Sequence, residues 1–442
     1  MRPIIRFSST PLSRGISTSA PVLAVAKPKK AAAGSKGGKQ GFNQKKKDAA
    51  SGGSGGSGQA TIALKFSMSG QPPDLSDLKR LQPSNYKSEN VGKPATFNKQ
   101  SFDKLKSFGL SKKVERELSS NGGPASVIRQ LTIDISKQLD GDKGKSSKDA
   151  RYVLTGERGS GKSMLLLQSV ACALESGWIV LFNPKATEWT NSSSHYIYDS
   201  QTQTFNQWQA SQQLLSTLLS NNKDKLDAIK LSSNANLPQG KTVEKGAKLS
   251  ELVSAGSKDD RIATQALDAV MGVLEKQTQY PVLWAIDEAQ TLFTTSKYRT
   301  PDYTPIEPYH LSAPRLALDF VSGRRSFAKG SILTSLSLSD PTNLPSPSLI
   351  QGLSLKSTQP ITPYTKLDPY HLSHASSNLK KLEVPYKMSN VEVSGLYELL
   401  FKKGLTAENQ SDGLFMELKS GSAGNPGEVK RGLSRLRGSL TA

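Results

Sequence analysis

Two kinds of apolar pattern run along this chain from residue 126 onward. The first is the short continuous run: Tyr152-Val153-Leu154, Trp178-Ile179-Val180-Leu181-Phe182, Val282-Leu283-Trp284-Ala285-Ile286, then residues 331–337 and, less strongly, 382–387. Runs of that length bounded by turn residues suit strands buried on both faces. The second is apolar spacing at a helical period. It predicts a helix over 126–139, with Val127, Ile128, Leu131, Ile135 and Leu139 on one face, and others over 162–175, 205–219 and 260–277. Strands alternating with helices predict an α/β domain over 126–387, a parallel sheet with helices on both faces. A polar insertion is expected at 221–258, and the Pro/Ser-rich stretch 340–370 is expected to follow the surface. Helical patterns at 391–402, 414–419 and 427–437 make residues 388–442 a small C-terminal helical lid. Residues 61–125, weakly patterned, are expected to form an extended surface segment.

The N-terminal sixty residues change this picture, because they hold eleven Lys or Arg and a single acid, Asp48. Arg2, Arg6 and Arg14 lie among Ser, Thr, Ile and Phe. That pattern reads as a mitochondrial transit peptide over 1–26, which places the mature protein in the matrix. Residues 27–60 form a Lys/Gly/Ser low-complexity arm, too poor in apolar surface to offset its ordering entropy, hence a disordered basic arm. It either threads onto RNA phosphates or serves as a linker. The whole chain carries a net charge of +21 over 442 residues, which suits a polyanionic partner such as nucleic acid. The lone cysteine, Cys172, excludes an intramolecular disulfide framework and a Cys-based zinc cluster. No run of 18 apolar residues exists, so no membrane span is expected.

The chemistry concentrates in Gly156-Glu157-Arg158-Gly159-Ser160-Gly161-Lys162-Ser163, which follows the first apolar run and leads into Met164-Leu165-Leu166-Leu167. This is the strand–GxxxxGK[ST]–helix context of a phosphate-binding P-loop. Gly156, Gly159 and Gly161 let successive N–H groups converge on a phosphate, with Arg158 and Ser160 between them, and the helix adds its positive end. Lys162 would reach the β/γ-phosphates, Ser163 would ligate Mg²⁺, and Met164 follows at the helix start. The run ending in Ile286-Asp287-Glu288 offers the second half of such a site. Asp287 would hold a metal-bound water, and Glu288 is the candidate to polarise an attacking water. The implied ligands are a purine nucleotide (GTP/GDP or ATP) and Mg²⁺. Thr334, Ser335 and Ser337 end the fourth strand, where a polar residue can sense a γ-phosphate. Arg324 and Arg325 are read as RNA or partner contacts rather than an arginine finger. Pro308-Tyr309-His310-Leu311-Ser312 recurs as Pro369-Tyr370-His371-Leu372-Ser373. Two short matches do not make a repeat, and the histidines are read as packing or loop residues.

Taken together, the acid-free leader, Arg151-Tyr152-Val153-Leu154-Thr155 leading into the P-loop, the second and third strands, Gly330 to Ser337 and the Gly424-Asn425-Pro426 turn resemble the death-associated protein 3 family of the mitochondrial small ribosomal subunit. The resemblance covers roughly residues 125–440. It implies an AAA+-like P-loop NTPase fold, a place in the head of the small subunit, contacts with the small-subunit rRNA and with other mitochondrial ribosomal proteins, and a bound guanine or adenine nucleotide. Members do not all keep an acid equivalent to Glu288, which implies that hydrolysis is slow or absent. The alternative function is a matrix AAA+-type ATPase acting on nucleic acid or protein.

Overall fold

The computed structural model describes residues 74–119, 122–356, 361–405 and 411–439. The transit peptide, the basic arm and the first part of the segment 61–125 lie outside these residues. The centre is a five-stranded sheet, parallel throughout: β1 (Arg151–Thr155), β2 (Ile179–Asn183), β3 (Val282–Ile286), β4 (Gly330–Ser335) and β5 (Lys380–Glu383). Their spatial order is β5-β1-β4-β3-β2. The last strand therefore sits beside the first, and β4 separates β1 from β3.

Every residue of β1 to β4 is buried, and the side chains alternate between two cores as the pleat demands. On one face, Val153, Leu181, Trp284 and Ile332 pack with the helices Trp208–Ala228, Leu249–Lys258, Ala263–Lys276 and Ser312–Ser322. On the other, Tyr152, Val180, Ala285 and Leu333 pack with the helices Gln130–Asp142 and Lys162–Glu175. β2 is the edge. Asn222, at a kink in the helix Trp208–Ala228, accepts from Val180 N at 2.9 Å and donates to Val180 O at 2.9 Å. One amide thus satisfies both groups of an edge residue that would otherwise template foreign pairing.

Some expectations meet a different structure. The helix expected over 126–139 begins at Gln130, because Ala125–Val127 pairs as a strand with Pro94–Phe97. Residues 74–119 are not merely an extended surface path. They include the helices Lys99–Ser107 and Lys112–Ser119, and they bury Tyr86, Phe97, Phe102, Leu105 and Phe108 in the same core as the helix Lys162–Glu175. The polar insertion contains the amphipathic helix Leu249–Lys258, with Leu249, Leu252 and Val253 buried. The lid is the three helices Asn390–Lys402, Asp412–Ser422 and Pro426–Ser439, packed through Val393, Leu396, Leu400 and Leu418. Among the described residues no helix is long and apolar enough to cross a membrane.

Candidate functional site

The register of the sheet brings the candidate residues to one edge. Ile286 stands between Asn183 and Thr334, and Leu154 pairs with Ser335. The segments leaving β1, β2, β3 and β4 therefore share the carboxyl edge of the sheet, where ligands of open α/β sheets bind. The loop 156–161 leaves β1 at this edge, and the helix begins at Lys162 with Gly161 as its left-handed N-cap, φ +92°. Gly156 has φ +136°, and a side chain there would meet Val384 O at 2.4 Å. Only glycine fits that turn.

Lys162 is 5% exposed. Its ammonium donates to Gly156 O at 2.8 Å and Glu157 O at 2.7 Å, with Ser160 Oγ at 3.4 Å. Burial pushes its pKa down to about 8, with Asp287 and then Glu157 opposing the shift. The cation is thus folded into its own loop, aimed where a phosphate's oxygens would replace the carbonyls. Asp287 is buried. Burial raises its pKa, while the facing Ser163 hydroxyl, the Glu288 N–H at 2.9 Å and the Lys162 charge pull it back. Ser163 and Asp287 are therefore placed as a pair of oxygen ligands. The Ser335 hydroxyl on β4 also faces Asp287 and lowers its pKa, so a third oxygen-bearing side chain joins the pair. Oxygen donors from Ser163 and Asp287 beside the Lys162 ammonium are the chemistry that a Mg²⁺-bound phosphate would require. Thr334 is already committed to Tyr152 O at 3.1 Å, and the Ser337 N–H to Gln290 at 2.9 Å.

Glu288 takes a left-handed backbone, φ +58°. Its carboxylate accepts from Thr187 Oγ1 at 2.5 Å, and burial raises its pKa. The candidate base is thus turned toward the segment after β2.

Four residues not singled out in the sequence as site residues join the lid to the loop. The Asn425 amide donates to Arg158 O at 3.2 Å, and the Gly427 N–H donates to Gly159 O at 3.1 Å. Gly159 has φ +80°, and a Cβ on it would lie 2.6 Å from Asn425 Oδ1. Arg129 donates to Ser160 O at 2.6 Å and stands 3.8 Å from Glu392. Glu392 also accepts from the Gln130 N–H at 2.9 Å and closes a capping box with Ser389. The Ser389-Asn390-Val391-Glu392 spelling was the available signal for that box; its long-range partner was not. Between the loop and the lid lies a cavity of about 340 Å³, walled by Val127, Met164, Gln168, Leu396 and Leu400. Met164 thus opens onto this cavity, beside Gly161.

The two arginines expected at a partner surface part company. Arg324 is exposed. Arg325 pairs with Asp268 and Glu275, each at 2.5 Å, and lies over the Phe320 ring. It ties the turn after the helix Ser312–Ser322 to the helix Ala263–Lys276, so its charge, read from the sequence as an RNA or partner contact, is balanced within the chain. In the terminal helix, Lys430 pairs with Glu117 and Arg431 with Glu428 at 2.8 Å.

Comparison with known proteins follows the same outline. The family model described as mitochondrial ribosomal death-associated protein 3 matches residues 126–432. Relatives named small ribosomal subunit protein mS29 occur in several organisms. The one from Schizosaccharomyces pombe is 25% identical over 361 residues, 80% of this chain and 73% of the relative. The Neurospora crassa protein is 27% identical over 57% of this chain and 54% of its own length. The Bos taurus protein is 23% identical over 52% of this chain and 59% of its own.

Proposed function

The chain belongs to the mitochondrial ribosomal death-associated protein 3 family, and from that premise we propose that it is a structural subunit of the small mitochondrial ribosomal subunit whose P-loop carries a purine nucleotide with Mg²⁺ as a standing part of the fold. Its place is the mitochondrial matrix, on the ribosome. In this reading the fold is AAA+-like, a reading supported by the β5-β1-β4-β3-β2 order, which sets Asp287 one strand away from the P-loop strand. The N–H groups of Gly156 to Gly161 cradle phosphate oxygens and Lys162 leaves its loop carbonyls for them. Ser163 and Asp287 hold the metal, which neutralises phosphate charge when bound. Met164 and the adjoining cavity receive the nucleoside.

The observation that carries this reading is the bonding of the lid to the phosphate loop through Asn425, Gly427 and the Arg129–Glu392 pair. A nucleotide held between sheet and lid acts as a strut between them. Glu288, bonded to Thr187 instead of facing an attacking water, suits occupancy rather than turnover. The net charge of +21 supports contact with rRNA phosphates, alongside neighbouring ribosomal proteins.

Acid extraction of the purified full chain, followed by chromatography, tests the nucleotide. Near-stoichiometric purine nucleotide is expected from the wild type and little from Lys162→Ala. Equal amounts from both, or none from the wild type, would contradict the reading. The alternative, a matrix ATPase, would need Glu288 as its base. Robust turnover abolished by Glu288→Gln would decide for that alternative.

A further inference from the structure

Glu307-Pro308-Tyr309-His310-Leu311-Ser312 and Asp368-Pro369-Tyr370-His371-Leu372-Ser373, an acid followed each time by the same five residues, meet in the fold. The rings of Tyr309 and Tyr370 stack at 4.9 Å, and Tyr309 packs edge-on against His371 at 5.2 Å. The Tyr309 hydroxyl donates to Asp368 Oδ2 at 3.0 Å. The Glu307 and Asp368 carboxylates and the His371 ring each present a ligand atom, all within 4.8 Å of one another.

Two carboxylates that close repel unless a cation stands between them. Among the described residues neither pairs with a lysine or arginine; the His371 ring, 3.3 Å from Glu307, is the one basic group in reach. That ring is 4% exposed, and its Nδ1 is buried without a partner. One imidazole with two carboxylates is a donor set for divalent transition metals, whereas Ca²⁺ and Mg²⁺ call for more oxygens.

We propose that Glu307, Asp368 and His371 bind one divalent metal ion of the zinc class, with the two hexapeptide copies as its two arms. The ion ties the segment entering the helix Ser312–Ser322 to the helix Pro369–Ala375, and water fills the remaining position. The copies are not equivalent. Asp368 caps its helix by accepting from the His371 N–H at 2.9 Å and the His371 ring is buried, while His310 is exposed.

The test is calorimetric titration of the metal-stripped full chain with Zn²⁺, paired with melting temperatures. Wild type takes up one equivalent and melts higher with zinc. Glu307→Gln and Asp368→Asn, isosteric changes at partly exposed positions, weaken uptake at least about tenfold. His310→Ala and the P-loop variant Asp287→Asn keep that equivalent, which separates this site from the nucleotide's. No zinc uptake by the wild type, undiminished binding in Glu307→Gln and Asp368→Asn, or loss in His310→Ala would overturn the proposal.

Discussion

Replacing Lys162 by methionine probes the phosphate loop through its electrostatics. The ammonium is caged by loop carbonyls, and burial lowers its pKa from 10.5 to about 8. A lysine with a depressed folded pKa holds its proton less tightly in the folded state. Between about pH 8 and 10.5 the unfolded chain therefore binds more protons, and stability rises with pH across that window. Below pH 8 both states are charged and the fold carries the whole desolvation penalty, on the order of 3 kcal/mol at 1.36 kcal/mol per pH unit. Methionine keeps the apolar stem and removes the charge. In urea denaturation of nucleotide-free protein, the wild type should gain on Lys162→Met by up to about 3 kcal/mol as pH rises from 7.5 to 10.5. Lys225 and Lys403 also have pKa values lowered to about 8 by burial, but they are present in both proteins and cancel in the difference. Adding Mg²⁺–nucleotide at neutral pH supplies phosphate oxygens to the same ammonium. At ~100 times its Kd, nucleotide should stabilise the wild type by about 2.7 kcal/mol and leave the variant unmoved. Parallel pH profiles, or a wild type that loses ground as pH rises, would refute the caged lysine.

The lid clamp makes a second target. Glu392→Ala leaves Arg129 buried without its counter-charge and should lower stability by roughly 3–5 kcal/mol; an unshifted urea midpoint would contradict the clamp. Gly159→Ala forces a side chain onto Asn425 Oδ1 at a φ of +80°, so the nucleotide recovered with the purified protein should fall sharply, and full recovery would count against a loop seated under the lid. Arg325→Ala removes the pairs to Asp268 and Glu275. A stability loss of about 1–2 kcal/mol with unchanged ribosome association is expected, since Asp268 is largely exposed; loss of RNA binding with unchanged stability would restore the surface role.

The sheet was legible where burial on both faces left a continuous apolar run. Val282–Ile286 and the helix Lys162–Glu175 appear with the expected bounds, and Asp287 stands where an acid closes such a run. The layer at 74–119 was hidden because Phe97, Phe102, Leu105 and Phe108 are set singly among lysines and serines, so no window reads as a strong face. Val127 and Ile128 fitted a helical face, but pairing with Pro94–Phe97 overrides that local pattern. The clamp from Arg129 to Glu392 joins residues far apart in the chain, and nothing local in either position announces the other. The bond of the Glu288 carboxylate to Thr187 likewise joins it to a partner outside its own segment.

Sedimentation of the endogenous protein through a density gradient of mitochondrial lysate tests the ribosomal assignment most directly. Contacts to rRNA release counterions and weaken as salt rises, whereas buried protein contacts respond much less. The protein should travel with small ribosomal subunits, stay with them at moderate salt, and leave when the rRNA is digested. Recovery only in light fractions, or outside mitochondria, would contradict its place as a ribosomal subunit.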